Sequence, residues 1–447
     1  MPNLWPNVRD TVRSQLWPLP VAAVALALAA GFLLPQLDAH VDASVPSWLA
    51  GVLFGGDADA GRTVLDAVSS SLITVTSLTF SLTVVTLQLA SSQFSPRLLR
   101  TFTSDVFVQA TLGLFLATFT YSLTVLRAVR SGGDSAEPFV PRISITVSFV
   151  LAVASVVGLV VFLAHLARQI RVETMLRDVH QDASATVRVV FDDEGAERPQ
   201  PPETPERAAV LVAGNSGFLV RIDHSDLLAA ARAADAVVVI TAHPGSWVIE
   251  KTPIGQAWYP AGVLRAEGLQ GLRTAVKDAI TVGFERTAAQ DVGYGLRQLT
   301  DVANKALSPG INDPTTAVHA LGHISALLCE LADHDLSPVV LADEQGHPRV
   351  VLHRPDLAEM VDTALTQPRR YGASDPQVMA RLYALLAELA WRCRPDQHHV
   401  VADQLARLRD TVAVQDFDAV EVRQLAAAAA SRVQSILNHP PTSNGTR

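Results

Sequence analysis

Two stretches of this chain concentrate side chains able to hold a ligand or to stand in for water. The first, SSSLITVTSLTFSLTVVTLQLASSQF, begins at Ser69. At about 100° per residue its hydroxyls fall into two stripes on opposite sides of one helix. Ser70, Thr74, Ser77, Ser81 and Gln88 form one stripe; Ser69, Thr76, Thr79, Thr83 and Thr86 form the other. Val75, Leu78, Leu82, Val85 and Leu89 lie between them on one side, Ile73, Phe80 and Val84 on the other. A row of hydroxyls can replace part of an ion's hydration shell along an aqueous path. The competing reading is packing, in which Ser and Thr bond the carbonyl four residues back or join helices.

The second stretch, RTAAQDVGYGLRQLTDVANKALSPGINDPTTA, begins at Arg286. Arg286 and Gln290 are four apart and share a helix face, with Asp291 adjacent. Ser308-Pro309-Gly310 stops the helix, and Asn312-Asp313-Pro314 starts the next, with Asp313 at N-cap and Pro314 at N1. Thr315 and Thr316 follow in the first turn, whose free N–H groups can take an anion if Arg286 or Arg297 comes near. The alternative is a capped helix whose polar residues lock two helices together. An enzyme at the membrane face would have to use Arg286, Gln290, Asp291, Asn312 and Asp313. They make no recognised nucleophile–base set, so no catalytic residue is assigned. His319 and His323 are four apart, but Ala320 follows the first, so the pair is not HExxH and no metal is assigned. GNSG at Gly214–Gly217 is not a dinucleotide fingerprint, and no cofactor is expected.

These residues need elements to position them. Apolar residues make up 49 % of the 447 and charged residues 18 %, below the roughly 25 % charged of soluble domains. With net charge −9 and no basic stripe, a nucleic-acid partner is disfavoured. Cys329 and Cys393 lack metal-type spacing and read as small core residues. The first apolar run is followed by no small-residue cleavage site, so it reads as a span rather than a removed signal.

Four apolar stretches reach the length of a spanning helix: Leu16 to Leu34, Val64 to Leu89, Val106 to Leu126 and Ile143 to Leu166. Arg9 and Arg13 precede the first, Arg97 and Arg100 lie between the second and third, and Arg168, Arg171 and Arg177 follow the fourth. Asp38, Asp42, Asp57 and Asp59 occupy the first loop; the third is mixed. Basic residues favour the inside, so both termini are expected in the cytoplasm. No Asp, Glu, Lys or Arg lies well inside a span, which argues against a proton relay or charge-coupled transporter. Ser95-Pro96-Arg97 reads as a helix start, and Ser104 or Asp105 as the cap of the third span.

The expected fold class is therefore a membrane α-helical domain followed by a cytoplasmic α+β domain that is mostly helical at its C-terminal end. The domains are 1–170, the four-helix membrane part; 171–207, a stalk that continues the fourth helix and then a Pro-rich linker; 208–262, a small ββαββ module; 263–438, helical; and 439–447, a tail.

Ser71 to Phe102 and the Arg286 stretch both resemble the bacterial predicted membrane proteins grouped as "domain of unknown function 2254", over nearly the whole chain. The resemblance implies four N-terminal spans and a C-terminal cytoplasmic domain, and supplies no activity or site residue. The leading functional expectation is a homo-oligomeric channel or pore-like protein of the inner membrane, with lipid as its surroundings and the cytoplasmic domain assembling or gating it. The alternative is a membrane-anchored regulatory or scaffold protein whose soluble part binds a partner or small anion.

Overall fold

A computed structural model describes residues 17–41, 53–93, 105–131, 139–169, 171–191, 199–259, 266–418 and parts of 420–438. The chain divides into two compact units, Met1–Thr174 and Met175–Arg447, each taken by itself below.

In the first unit, helices α1 (Pro18–Val41), α2 (Ala58–Gln93), α3 (Val106–Leu126) and α4 (Arg142–Gln169) are each long and apolar enough to cross a membrane. Because a bilayer leaves backbone groups no water to bond, a helix that pairs them internally is the form such runs take. Helix α3 packs against the other three and is the most enclosed. Gly31 allows α1 to approach it closely, since a Cβ there would meet the Thr124 side chain.

The first loop is shorter than the sequence suggests, because α1 continues through Pro35 to Val41. Asp38 therefore belongs to the helix, and its buried carboxylate caps α4. It accepts from Ile143 N at 2.9 Å, Ser144 N at 2.9 Å and the Ser144 hydroxyl at 2.6 Å. A carboxylate at a helix N-terminus satisfies orphan N–H groups and complements the dipole. Asp105 caps α3, accepting from Phe107 N at 2.8 Å, while the expected start at Ser95-Pro96-Arg97 lies outside the described residues.

The fourth helix does not run on as a rod. It ends at Gln169, and a separate helix α5 spans Val172–Val190. The period changes there: α4 is apolar all round, whereas α5 is amphipathic, with Glu173 in its first turn and Met175, Leu176, Val179 and Ala183 buried.

The second unit carries two sheets. Strands β1 (Ala209–Val212) and β2 (Gly217–Ile222) precede helix α6 (His224–Ala233), β3 (Val237–Ile240), β4 (Trp247–Val248) and β5 (Pro253–Trp258). Helix α7 (Ala266–Ala279) and β6 (Ile280–Gly283) follow. Then come α8 (Gly293–Ala306), α9 (Pro314–Ala332), the hairpin β7 (Val339–Ala342) and β8 (Pro348–Leu352), and helices α10 (Leu357–Tyr371), α11 (Pro376–Arg392) and α12 (His398–Ala413). The five-stranded sheet has order β1-β5-β3-β8-β7, with β3 and β8 parallel and the other pairs antiparallel; the three-stranded sheet is β4-β2-β6.

This differs from a self-contained ββαββ module followed only by helices. Strands β1 and β2, on either side of the GNSG turn, enter different sheets, and β8 crosses from the helical region to pair with β3. Val237–Ile240 is buried at every position, as expected of a strand covered on both faces. Leu211, Leu219, Leu227, Ile240, Leu272 and Val350 gather in one apolar core beneath α6 and α7.

Candidate functional site

Helix α2 separates its two hydroxyl stripes by environment. Ser69, Thr76, Thr79, Thr83 and Thr86 are buried within the chain. Four of them bond the carbonyl one turn back, with Ser69 donating to Leu65 O, Thr76 to Leu72 O, Thr83 to Thr79 O and Thr86 to Leu82 O, all at 2.7–2.9 Å. The Thr79 hydroxyl is buried without a partner. Ser70, Thr74, Ser77, Ser81 and Gln88 are exposed on the opposite side, where Thr74 donates to Ser70 O at 3.1 Å. Ile73, Leu78, Phe80, Val84 and Val85 flank them, also exposed. The helix thus shows the protein surface a polar seam framed by large apolar side chains.

A second set of hydroxyls joins α3 to α4. Ser122 and Ser148 share a hydrogen bond at 2.7 Å, Thr118 and Ser155 one at 3.3 Å, and the Tyr121 hydroxyl donates to Ser144 O at 3.1 Å. The Ser and Thr of this ladder are at most 1 % exposed, as expected of small polar residues that hold helices together in lipid. Toward the other end of the pair, Phe115 and Phe162 are fully buried. Beyond them His165 Nε2 lies 2.7 Å from Asp105 Oδ2. The signal was present in the sequence as hydroxyls four apart, Thr118–Ser122 and Ser144–Ser148, but it is sparser than in α2.

In the second unit Arg286 and Asp291 come together as an ion pair, Asp291 buried and Arg286 partly so. Arg286 Nε donates to Asp291 Oδ2 at 2.8 Å and Nη2 lies 2.6 Å from the same oxygen, while Oδ1 accepts from Gly293 N at 3.1 Å. The guanidinium also lies 6.0 Å from the centre of the Tyr294 ring. Burial pushes the Asp291 carboxyl above the usual carboxylate range, and Arg286, then His243, pull it back. Gly245, with φ +92°, closes over the pair, and a Cβ there would collide with the Asp291 carboxylate and the guanidinium. His243, two residues earlier, lies 3.3 Å from Glu359. Gln290 turns elsewhere: its amide accepts from Ile222 N at 2.9 Å and donates to Ile222 O at 3.2 Å, continuing the edge of β2.

The Asn312–Asp313 turn is a helix cap. Asn312 adopts φ +51°, a left-handed conformation that Asn tolerates. Asp313 accepts from Thr316 N at 3.1 Å and from the Thr316 hydroxyl at 2.6 Å. These bonds hold its carboxyl below the usual range, with a smaller contribution from the Thr315 backbone. The carboxylate thus occupies the N-terminus of α9 that an external anion would need. The Arg286 stretch supplies two separate structural devices, the Arg286–Asp291 latch and the Asp313 cap.

The His323 ring on α9 lies 5.3 Å from that of His180 on α5, tilted by 56°, and burial, then His180 and His319, hold it below the ordinary histidine range. Among the described residues no group of three or more His, Cys, Asp or Glu is arranged to hold a metal ion. Cys329 and Cys393 are free, and burial pushes both thiols up to about 11, which makes them unreactive.

Comparison with known proteins places the chain in context. It is 32 % identical over 438 residues to an uncharacterized protein of Mycobacterium bovis and to one of Mycobacterium tuberculosis, covering 97 % of this chain and 83 % of each relative. No solved structure matches. A family model described as predicted membrane protein, domain of unknown function 2254, matches residues 13–388. With four apolar helices leading a mixed α/β region, the chain belongs to that family of membrane proteins.

Proposed function

We propose that this protein is a homo-oligomeric, channel-like protein of the bacterial inner membrane, with both termini and the second unit in the cytoplasm. The observation that carries this reading is the exposed seam of α2. Five polar side chains, Ser70, Thr74, Ser77, Ser81 and Gln88, are turned outward along a helix of membrane-spanning length. Lipid gives such groups nothing to bond beyond their own helix, whereas a ring of copies encloses them around water. The buried stripe and the α3–α4 ladder hold each protomer together. The second unit assembles or gates the ring. The test is ion flux from vesicles carrying the purified chain. Flux above that of empty vesicles, lost on changing Ser77 and Ser81 together to Leu, supports the reading; vesicles that stay tight across ions, voltage and tension oppose it.

A membrane-anchored scaffold is the second reading. It is favoured by exposed apolar side chains at the three-stranded sheet, Trp247 on β4 at 56 % and Phe284 just past the end of β6 at 89 % exposure, a surface that suits a protein partner. Under it, the Ser77/Ser81 change leaves every measured flux unaltered.

A further inference from the structure

We infer that Asp66 makes the proposed path selective for cations. The inference rests on the channel reading and adds the class of ion to it. At about 100° per residue Asp66 lies within about 40° of Ser70, one turn earlier on α2. It therefore continues the outward seam of Ser70, Thr74, Ser77 and Ser81, and it is itself exposed.

Its charge is not taken up elsewhere. Among the described residues no hydrogen bond or ion pair reaches the Asp66 carboxylate. Arg62, the nearest cation along the helix, donates to Val129 O at 3.2 Å. Asp59, farther along the same face, accepts from the Ser131 hydroxyl at 3.2 Å. Asp66 alone among these three side chains makes no hydrogen bond or ion pair; Arg62 and Asp59 bond neutral groups and keep their charges.

The span Ala58–Gln88 has 31 residues, about 46 Å of helix at ~1.5 Å per residue. The hydrocarbon layer is about 30 Å thick, so the helix overhangs it. Asp66 lies about 12 Å from the start of the helix, at the edge of the apolar layer. At that depth the carboxylate stays within reach of water, so its charge belongs at a mouth rather than within the hydrocarbon. Around a common axis, one Asp66 per copy forms a ring of negative charge at one mouth of a hydroxyl-lined path. Such rings attract cations and repel anions.

The experiment is current through planar bilayers containing the full-length protein, with different KCl concentrations on the two sides. The wild type is expected to reverse near the potassium equilibrium potential. Asp66→Asn should move the reversal toward zero while current persists, and Asp66→Glu should keep the wild-type value. Current with a reversal toward the chloride potential, or a reversal unmoved by Asp66→Asn, overturns the role of Asp66 and leaves the channel standing. A wild type that carries no current overturns both.

Discussion

Arg286 and Asp291 trade solvation for each other, so removing either has unequal consequences. Asp291 is 4 % exposed, and without its arginine it is a buried charge with only Gly293 N to bond. Arg286→Ala is therefore expected to destabilise the second unit by about 3–5 kcal/mol, read as a shift in the chemical unfolding midpoint. Asp291→Asn should cost less, because Arg286 retains access to water. Gly245→Ala should also be destabilising, through both the collision and φ +92°. At the start of α9, Asp313→Ala removes the cap and should cost about 1 kcal/mol. The Asp313 cap was legible because Asn-Asp-Pro-Thr is a local signal, complete within four residues. The Arg286–Asp291 latch was not. Sequence spacing paired Arg286 with Gln290, yet Gln290 bonds Ile222 and the lid over the latch is Gly245, far away in the chain.

The hairpin β7–β8 offers a pH-dependent test at the scale of an element. Asp343 accepts from Arg349 Nε at 2.8 Å and from the backbone of Gln345 and His347, and these bonds lower its carboxyl to about 2. Its folded value lies below the ordinary 3.8. The stabilisation is therefore present above that value and lost as pH falls toward about 2. Amide exchange in Val339–Leu352 should accelerate in that window, and Asp343→Asn should remove the pH dependence; an unchanged profile in the variant would contradict the assignment. The long apolar and amphipathic helices were legible because their periods persist over many turns. Strands β5, β6, β7 and β8 were missed. They are short apolar runs whose partners are set by tertiary pairing, as when Val238 meets Val350. PVVLADEQGHPRVVL carried a recoverable hairpin signal, two apolar runs around a Gly-containing turn. The break between α4 and α5 was hidden because Val172, Met175, Leu176, Val179 and Ala183 keep a helical period of their own and no Pro or Gly punctuates the junction.

The proposed assembly concerns the molecule as a whole, and the two stripes of α2 are its sharpest feature. Sequence alone showed that both existed but gave no way to tell which faced inward. That depends on where the neighbouring helices pack: α2 lies against α3 and α4, Leu82 of α2 packs with Val108 and Leu112 of α3, and Thr76, Thr79, Thr83 and Thr86 are buried. Changing Thr83 and Thr86 together to Ala should loosen the protomer and lower its yield from detergent. Changing Ser70 and Thr74 to Ala should leave the protomer intact. The proposed ring is tested most directly by the oligomeric structure of the protein in lipid nanodiscs, determined by cryo-electron microscopy. A closed ring of identical copies is expected, with Ser70, Thr74, Ser77 and Ser81 of every α2 around one central axis. A monomer, or an assembly in which that face of α2 contacts lipid, would contradict the proposal.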